Sequence, residues 1–182
     1  MVHRVKDRWY GDYTGGGWHG LNTREFKGEA QFTLEQLYIT PFTHRRRYSE
    51  DGRIQYLPLE RNHNPTGIRV MDDYLRFLSG GCADTAVFCK RYGARVSDID
   101  SLVFLLTGMR GVDFRQAYQR RMADELLQYT SLPIADVARL CGYGTRTNFY
   151  FAYMRDFGCP PSERRNQLQK PEDKDLYKVE LI

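Results

Sequence analysis

The most informative segment of the chain is GYGTRTNFYFAYMRDFG, residues 142–158. Six aromatic rings lie within these seventeen residues, and a glycine stands at each end. Three of the rings, Phe149, Tyr153 and Phe157, recur at every fourth position, which is the spacing of one face of an α-helix. The segment therefore predicts a helix that packs one aromatic face against its own domain and leaves the opposite face, with Arg146 near the helix start, open.

An internal repeat relates this segment to the middle of the chain. Gly93 corresponds to Gly142, 49 residues later, and Gly108 corresponds to Gly158 at an offset of 50. Each copy has a small residue four positions before its first glycine, followed by a helix with apolar residues four apart. A small side chain at that position lets two helices cross closely, as in a helix-turn-helix unit. Two such units are therefore expected.

Helical periodicity extends from residue 68 to residue 168. The pattern predicts helices at RVMDDYLRFL (69–78), ADTAVFCKRY (83–92), VSDIDSLVFLLT (96–107), DFRQAYQRRMADELLQYT (113–130), IADVARLC (134–141), TRTNFYFAYMRDF (145–157) and SERRNQL (162–168). The longest of these helices connects the two units. The predicted fold class is mainly α: a bihelical domain of two helix-turn-helix units joined by a long helix, preceded by a small irregular or β-containing N-terminal segment.

Composition divides the chain into three zones. Residues 1–67 are rich in glycine, aromatics and turn formers, and their alternating stretches QFTLEQLYIT (31–40) and RIQYLPL (53–59) predict strands. A small sheet and a partly ordered arm both fit this zone, in which THRRRY (43–48) is either a basic arm that reaches DNA or, as we favour, a solvated turn. Residues 68–168 are the helical domain, and the charged residues 169–182 are expected to form a loose tail.

Composition also limits the class of function. The formal net charge is +4, and 13 of the 14 basic residues between 68 and 168 are arginine, the cation suited to bidentate phosphate and guanine contacts. No apolar run approaches the roughly 20 residues that span a bilayer. The N-terminal stretch MVHRVKDRWYGDY lacks the apolar centre of a secretory signal. We therefore expect a cytoplasmic protein with no membrane partner.

The residues that could form a metal site or a catalytic site are scattered along the chain. The four cysteines form no C-x-x-C pair and the four histidines all precede them, so we expect no metal site and no cofactor. GGGWHG (15–20) lacks the lysine of a phosphate-binding loop. Neither a Ser-His-Asp nor a Cys-His arrangement stands out, so we expect no catalytic residue, no enzyme and no small-molecule site.

Several motifs of the second unit occur together at fixed spacing. They are LLQYTSLPIADVARLCGYG (126–144), Asn148 with Phe149, the second ring at Tyr153, and the close DFGCPPSERR (156–165). In these motifs residues 71–168 resemble the AraC-type DNA-binding domain of bacterial transcription regulators. The resemblance implies that each unit presents its second helix to the major groove, with the long helix holding the two about one turn of DNA apart.

The resemblance places the candidate base contacts at the start of the second unit's second helix. Thr145, Arg146, Thr147 and Tyr150 lie where side chains reach base edges and backbone amides meet phosphate. Arg146 is the first choice for a bidentate guanine contact. Either threonine could cap the helix instead.

Other positions of the second unit have less specific predictions. Arg155 and Arg164 are candidate phosphate contacts. Arg165 is either a third phosphate contact or an internal ion-pair partner. Phe151 stands where the family commonly has a basic residue that reads DNA, so it contacts either thymine methyl groups or a neighbouring protein.

The first unit departs from the family. Its candidate contacts are Arg95, Ser97 and Ser101, but the neighbouring carboxylates of Asp98 and Asp100 would repel phosphate. An acidic residue can nevertheless accept from cytosine, and Asp98 also suits the positive end of the helix dipole. We infer that the second unit reads bases and the first is a scaffold or protein-binding face. The exposed part of VFLL (103–106) would then contact a partner or residues 1–67.

Two functions follow from these predictions. The leading one is a sequence-specific double-stranded DNA-binding transcription regulator that reads the major groove mainly through its second helix-turn-helix. The alternative is a protein–protein adaptor that uses the degenerate first helix-turn-helix, with weak or no specific DNA binding. RNA polymerase or another protein is the candidate partner of that first unit.

Overall fold

The structure is a computed structural model that describes residues 25–60, 65–82 and 84–179. The stretches MVHRVKDRWYGDY and GGGWHG lie outside the described residues. The elements in chain order are α1 Leu34–Leu37, β1 Phe42–Tyr48, β2 Ile54–Pro58, α2 Arg69–Ser79, α3 Thr85–Tyr92, α4 Val96–Thr107, α5 Gly111–Tyr129, α6 Ile134–Leu140, α7 Arg146–Phe157, α8 Pro161–Leu168 and β3 Tyr177–Val179. The prediction of a mainly α fold with a small β-containing N-terminal segment is confirmed.

Two helix pairs form the repeated units. The first unit consists of α3 and α4, the second of α6 and α7, and α5 runs between them. The corresponding helices α4 and α7 each end at a left-handed glycine, Gly108 with φ 71° and Gly158 with φ 69°. Because a side chain is strained at such angles, glycine ends both helices at equivalent positions.

Helix α5 forms the centre of the core. The heptad-like spacing of its apolar residues favours one apolar face, and that face is buried against the surrounding helices apart from the half-buried Ala117; the buried residues are Phe114, Tyr118, Met122, Leu126 and Leu127. The Tyr118 hydroxyl also donates to the Ile39 carbonyl at 3.2 Å and accepts from the Ile39 amide at 3.0 Å. These bonds fix the N-terminal segment on the long helix, and burial raises the pKa of Tyr118 above its usual range, so its hydroxyl stays protonated.

The predicted strand at residues 31–40 is wrong. The segment contains instead the one-turn helix α1, which begins after Thr33. The Thr33 hydroxyl accepts from the Gln36 amide at 3.3 Å, and the Gln36 side chain accepts from the Thr33 amide at 2.8 Å. This reciprocal capping box stabilises a helix start and outweighs the alternating pattern.

Residues from both ends of the described chain build one sheet. The strand order is β2-β1-β3, with both neighbours antiparallel to β1, so the predicted strand at RIQYLPL is present as β2. THRRRY lies in the central strand and is neither a turn nor a free arm. The expected loose tail is wrong as well, because Tyr177 stacks on Phe42 with ring centroids 4.7 Å apart and the Arg46 guanidinium donates to the carbonyls of Glu172 and Lys174.

Candidate nucleic-acid interface

Helix α7 is anchored through its aromatic face. Phe149 and Tyr153 are fully buried, with ring centroids 4.6 Å apart, and Tyr143 packs on Phe149 at 4.8 Å. The Tyr153 hydroxyl donates to the Asp124 carboxylate of α5 at 3.0 Å. Burial, helped by the charge of Asp124, raises the pKa of Tyr153 far above its usual range, so the ring remains a neutral donor. The inward face is therefore fixed to the long helix.

The start of α7 is capped by Thr145. Its hydroxyl oxygen accepts from the Asn148 amide at 3.1 Å, which resolves the choice between the two threonines as the cap. Thr147 lies in the first turn and is exposed. The Thr145 hydroxyl satisfies the helix end, while the Thr147 side chain faces solvent.

Arg146 is the first residue of α7 and is exposed. Among the described residues its guanidinium has no hydrogen bond and no ion pair. The partial positive charge at the helix N-terminus adds to that of the side chain, so this end of α7 attracts anions. An unengaged fork of five N–H donors is suited to two adjacent acceptors, such as those of guanine.

The outward face of α7 carries apolar side chains. Phe151 follows Phe149 by two residues and precedes Tyr153 by two, so it lies on the side of the helix opposite the buried rings. Its exposed fraction is 63%, the highest of the large apolar residues in α7, and Tyr150 and Met154 beside it are also exposed. The structure thus presents Tyr150 and Phe151 to solvent, as the sequence predicts.

The carboxylate of Asp156, the single acidic residue of α7, points inward. It accepts from Arg155 on the same helix at 2.7 Å and from Arg120 of α5 at 3.2 Å, and 7% of its side chain is exposed. Burial raises the pKa of Asp156, but the hydrogen bonds and charges of Arg155 and Arg120 outweigh burial and hold that pKa below its usual range. Arg155 is exposed and follows Phe151 by four residues, so it begins on the same outward face.

Arg164 does not take the place predicted for it. Its guanidinium donates to both carboxylate oxygens of Asp124, at 2.8 and 3.3 Å, and lies over the Phe157 ring. Only 16% of the side chain is exposed. Because this pair holds α8 against α5, the structure does not favour a phosphate contact, and Arg164 is removed from the candidate interface.

Arg165 is internal too, although its partner is not an acid. Its guanidinium donates to the Leu132 carbonyl at 2.5 Å, in the turn that precedes α6. Burial lowers the pKa of Arg165 below its usual range. Both arginines of α8 therefore stabilise the second unit from within.

The polar residues at the start of α4 differ in their exposure and in their structural roles. Arg95 and Ser97 are exposed at the start of α4, whereas Ser101 is half-buried. The Asp98 carboxylate accepts from the Arg95 amide at 2.9 Å, so it caps α4 as the helix-dipole argument expects. Asp98 thus has a structural role at the position where it would also repel phosphate.

Asp100 packs closely against the beginning of α5. A Cβ added to Gly111, the first residue of α5, would clash with the Asp100 carboxylate and lie 3.1 Å from the Asp100 Cα, so a larger residue there would require the Asp100 side chain to move. The other acid of α4 is thereby used in the contact between α4 and α5. Neither carboxylate requires a nucleic-acid role to explain its presence.

The two units differ in what covers their second helices. Phe26 packs edge to face on Phe104 of α4 with ring centroids 5.4 Å apart, and a Cβ on Gly108 would lie 2.9 Å from the Phe26 ring. At the equivalent Gly158 of α7, such a Cβ would meet nothing within 4 Å in the part of the chain that the structure describes. The VFLL stretch therefore contacts residues 1–67, one of the two options that the sequence left open. Phe26 itself carries no periodic signal that would mark it in the sequence.

The N-terminal segment is held on α4 by backbone bonds as well. The amides of Gln31 and Phe32 both donate to the Leu106 carbonyl, at 2.9 and 3.0 Å. Leu105 is exposed on the same helix, with an exposed fraction of 67%.

No described helix is both long and apolar enough for a membrane span, and the described His, Cys, Asp and Glu residues form no group that could hold a metal ion.

Comparison with known proteins finds a match that covers most of the helical part of the chain. A family model described as a helix-turn-helix domain matches residues 88–167. The HTH-type transcriptional activator RhaR of Mannheimia succiniciproducens is 29% identical over 85 residues, which are 47% of this chain and 31% of that protein. The chain thus spans less than a third of the length of this relative.

Two solved structures align with the chain, and the first of them shows the same helical fold. The C-terminal domain of AraT, a response regulator from Geobacillus stearothermophilus, aligns with a TM-score of 0.50 at 18% identity, over 59% of this chain and 93% of that one. The xylose-binding transcription activator xylR aligns with a TM-score of 0.46 at 17% identity, over 68% of this chain and 35% of that one. Residues 88–167 therefore match a helix-turn-helix domain, and in this region the chain resembles transcription regulators of the AraC type.

Proposed function

We propose that this protein is a sequence-specific double-stranded DNA-binding transcription regulator that reads the major groove mainly through α7. The observation that carries the proposal is the two-sided character of this helix. Phe149 and Tyr153 are buried on its inward side, where Tyr153 bonds Asp124 of α5, while Arg146 is exposed at its start without a partner among the described residues. A helix held rigidly from behind and cationic at its leading end suits insertion into a groove between phosphates.

The outward face of α7 is also free of negative charge. Its one carboxylate is turned inward and paired with Arg120 and Arg155. The major groove is about 12 Å wide and admits a helix. Arg146 and Thr147 at the helix start would then meet base edges, Tyr150 would follow on the next turn, and Arg155 would lie toward the backbone.

Helix α4 has a smaller part in this proposal. Phe26 covers its C-terminal end, and Asp98 and Asp100 lie at its beginning. We assign to Arg95 and Ser97 positioning contacts with the DNA backbone, and to the half-buried Ser101 a weaker one. The first unit then fixes the register of the complex without much base discrimination.

Selection from random duplexes tests the proposal. The purified protein should enrich one sequence, whose affinity falls steeply between two salt concentrations. Arg146→Ala should cost about 1–3 kcal/mol of binding free energy and relax preference at one base pair. Arg146→Lys is the matched control, because it keeps the charge but not the bidentate fork, and should relax the same base pair.

Two results would contradict the proposal. Failure to enrich any sequence at low salt would remove the reading function altogether. If Arg146→Ala bound as the parent does while Ser97→Ala with Ser101→Ala abolished binding, base readout would belong to α4 and the assignment of the two units would be reversed.

The adaptor function rests on one observation, the exposed Leu105 of α4. This side chain offers a protein such as RNA polymerase an apolar contact beside the segment held by Phe26. Leu105→Glu should leave affinity for the selected duplex unchanged and reduce transcription output if α4 binds a protein. A protein that shows no specific DNA signal at any salt concentration would favour the adaptor over the regulator.

A further inference from the structure

We infer that α7 recognises the 5-methyl groups of thymine through Phe151 and Met154, so that the sites bound by this protein carry thymines at fixed positions. The inference rests on the proposed function and names the base chemistry that the outward face of α7 would take.

The geometry places these side chains at the outermost line of the helix. Phe151 lies opposite the buried pair Phe149 and Tyr153. Thr147, four residues earlier, and Met154, three residues later, are its neighbours on the same face. We call the exposed side chains Thr147, Phe151 and Met154 the methyl strip.

Among the described residues, no packing contact of the core explains the methyl strip. Phe151 touches the Tyr150 ring edge on, with centroids 5.6 Å apart, and both rings are exposed. Burial of α7 is complete without them, because Phe149 and Tyr153 supply the inward contacts. Exposed aromatic and thioether side chains in a row are the kind of surface that contacts another molecule.

The major groove offers one apolar feature, the C5-methyl of thymine. Phenylalanine and the threonine methyl are side chains that contact it. The groups at the ends of Phe151 and Met154 cannot exchange strong hydrogen bonds with base edges, so a methyl is the base feature that they can distinguish. Burying one methyl group away from water at the interface strengthens binding about fourfold.

Charge favours DNA over a protein as the occupant of this face. Arg146 begins the helix, and Arg155, which pairs with the largely buried Asp156 carboxylate, lies near its far end; 7% of the Asp156 side chain is exposed. An apolar strip between two cations matches a groove floor flanked by two phosphate strands. The same position on α4 is unavailable, because Phe104, the equivalent of Met154, lies under Phe26.

The experiment uses the duplex selected by the full chain and replaces each thymine, one at a time, by deoxyuridine, which lacks only the methyl group. The parent protein should lose about threefold to fivefold in affinity at one or two positions and nothing at the others. Phe151→Ala should bind the unmodified duplex correspondingly less well and show no further loss at those positions. A cytosine selected against at such a position should be accepted better as 5-methylcytosine.

Two matched controls isolate the methyl strip. Arg146→Ala should keep the sensitivity to deoxyuridine while it relaxes a different base pair. Tyr48→Ala, which removes an exposed ring from the sheet, should behave as the parent does. Chemical unfolding of each variant checks that the fold is intact.

The outcomes separate this inference from the proposed function. Specific binding that tolerates deoxyuridine everywhere, or the same loss in Phe151→Ala as in the parent, overturns the methyl contact and leaves DNA reading in place. Normal DNA binding by Phe151→Ala with reduced transcription output overturns it in favour of a protein partner. Failure to select any sequence removes both.

Discussion

The Phe26 ring meets the Phe104 ring edge to face, with centroids 5.4 Å apart, and so ties the N-terminal segment to the second helix of the first unit. The equivalent end of α7, at Met154 and Gly158, has no such cover among the described residues. Two units of the same local geometry therefore offer different surfaces. The difference arises from a contact outside the repeat and not from the repeat itself.

Replacing Phe26 by alanine should destabilise the first unit. The ring is half-buried, so its loss should lower the free energy of unfolding by about 1–2 kcal/mol. The Gln31 and Phe32 amides, which donate to the Leu106 carbonyl, should exchange their hydrogens faster. Chemical unfolding and hydrogen exchange measure both effects. Phe151→Ala is the control of equal chemistry, since its exposed ring should cost no more than about 0.5 kcal/mol; equal losses in the two variants would contradict the contact.

The Asp124 carboxylate should contribute far more than an ordinary ion pair. It accepts from the Tyr153 hydroxyl and from the Nε and Nη2 atoms of Arg164, and all of these groups are largely buried. Asp124→Ala should lower the free energy of unfolding by about 2–4 kcal/mol, because two buried donors lose their acceptor.

The control for Asp124 is the pair between Arg110 and Asp113, which has similar bidentate geometry at an exposed site. Asp113→Ala should cost less than about 1 kcal/mol, because solvent screens this pair. Thermal or chemical unfolding gives both values. A result in which the two substitutions cost the same would show that the Asp124 cluster is no better than a surface pair.

Tyr177 should be needed for the sheet and for the end of α5. Its ring stacks on Phe42 at 4.7 Å and meets Tyr129 at 5.2 Å. Tyr177→Ala should lower the free energy of unfolding by about 2–3 kcal/mol. Tyr48→Ala on the same sheet, where the ring is exposed, should cost less than about 1 kcal/mol. A Tyr177 variant as stable as the Tyr48 variant would mean that the tail does not hold the sheet.

Stability should fall in acid partly through Asp156. Its pKa lies below the usual range in the folded protein, where Arg155 and Arg120 bond its charged form, and near 3.9 in the unfolded chain. A depressed folded pKa stabilises the fold above the unfolded value, and that contribution is lost as the pH falls from about 4 toward the folded pKa. Asp156→Asn should therefore be less stable than the parent at pH 7, and the difference should shrink at pH 3. Urea unfolding at the two pH values checks this; a constant difference would contradict it.

The helical part of the fold could be predicted because its signals are local. Helix α4 has the bounds that the sequence predicts, Val96–Thr107, since a capping acid and a left-handed glycine mark its two ends. The buried face of α7 follows from the four-residue spacing of its rings. The repeat then pairs the helices without any knowledge of their contacts.

Most of the errors lie where partners are distant in the chain, and the one at 31–40 lies where one local signal outweighs another. Arg164 finds Asp124, 40 residues away, and no local pattern distinguishes this arginine from one that faces phosphate. The segment at 31–40 alternates like a strand, but the capping box at Thr33 decides in favour of a helix. The strand β3 is short and charged, and its pairing with β1 depends on a fold that must already be in place.

That pairing has a consequence for how the protein is made. A ribosome delivers β1 long before β3, with both helix-turn-helix units in between. One edge of β1, next to the apolar ring of Phe42, therefore stays open on the nascent chain while the rest of the molecule is synthesised. Newly made copies can associate edge to edge throughout that interval. The interval ends when β3 pairs with β1 and the Tyr177 ring stacks on Phe42.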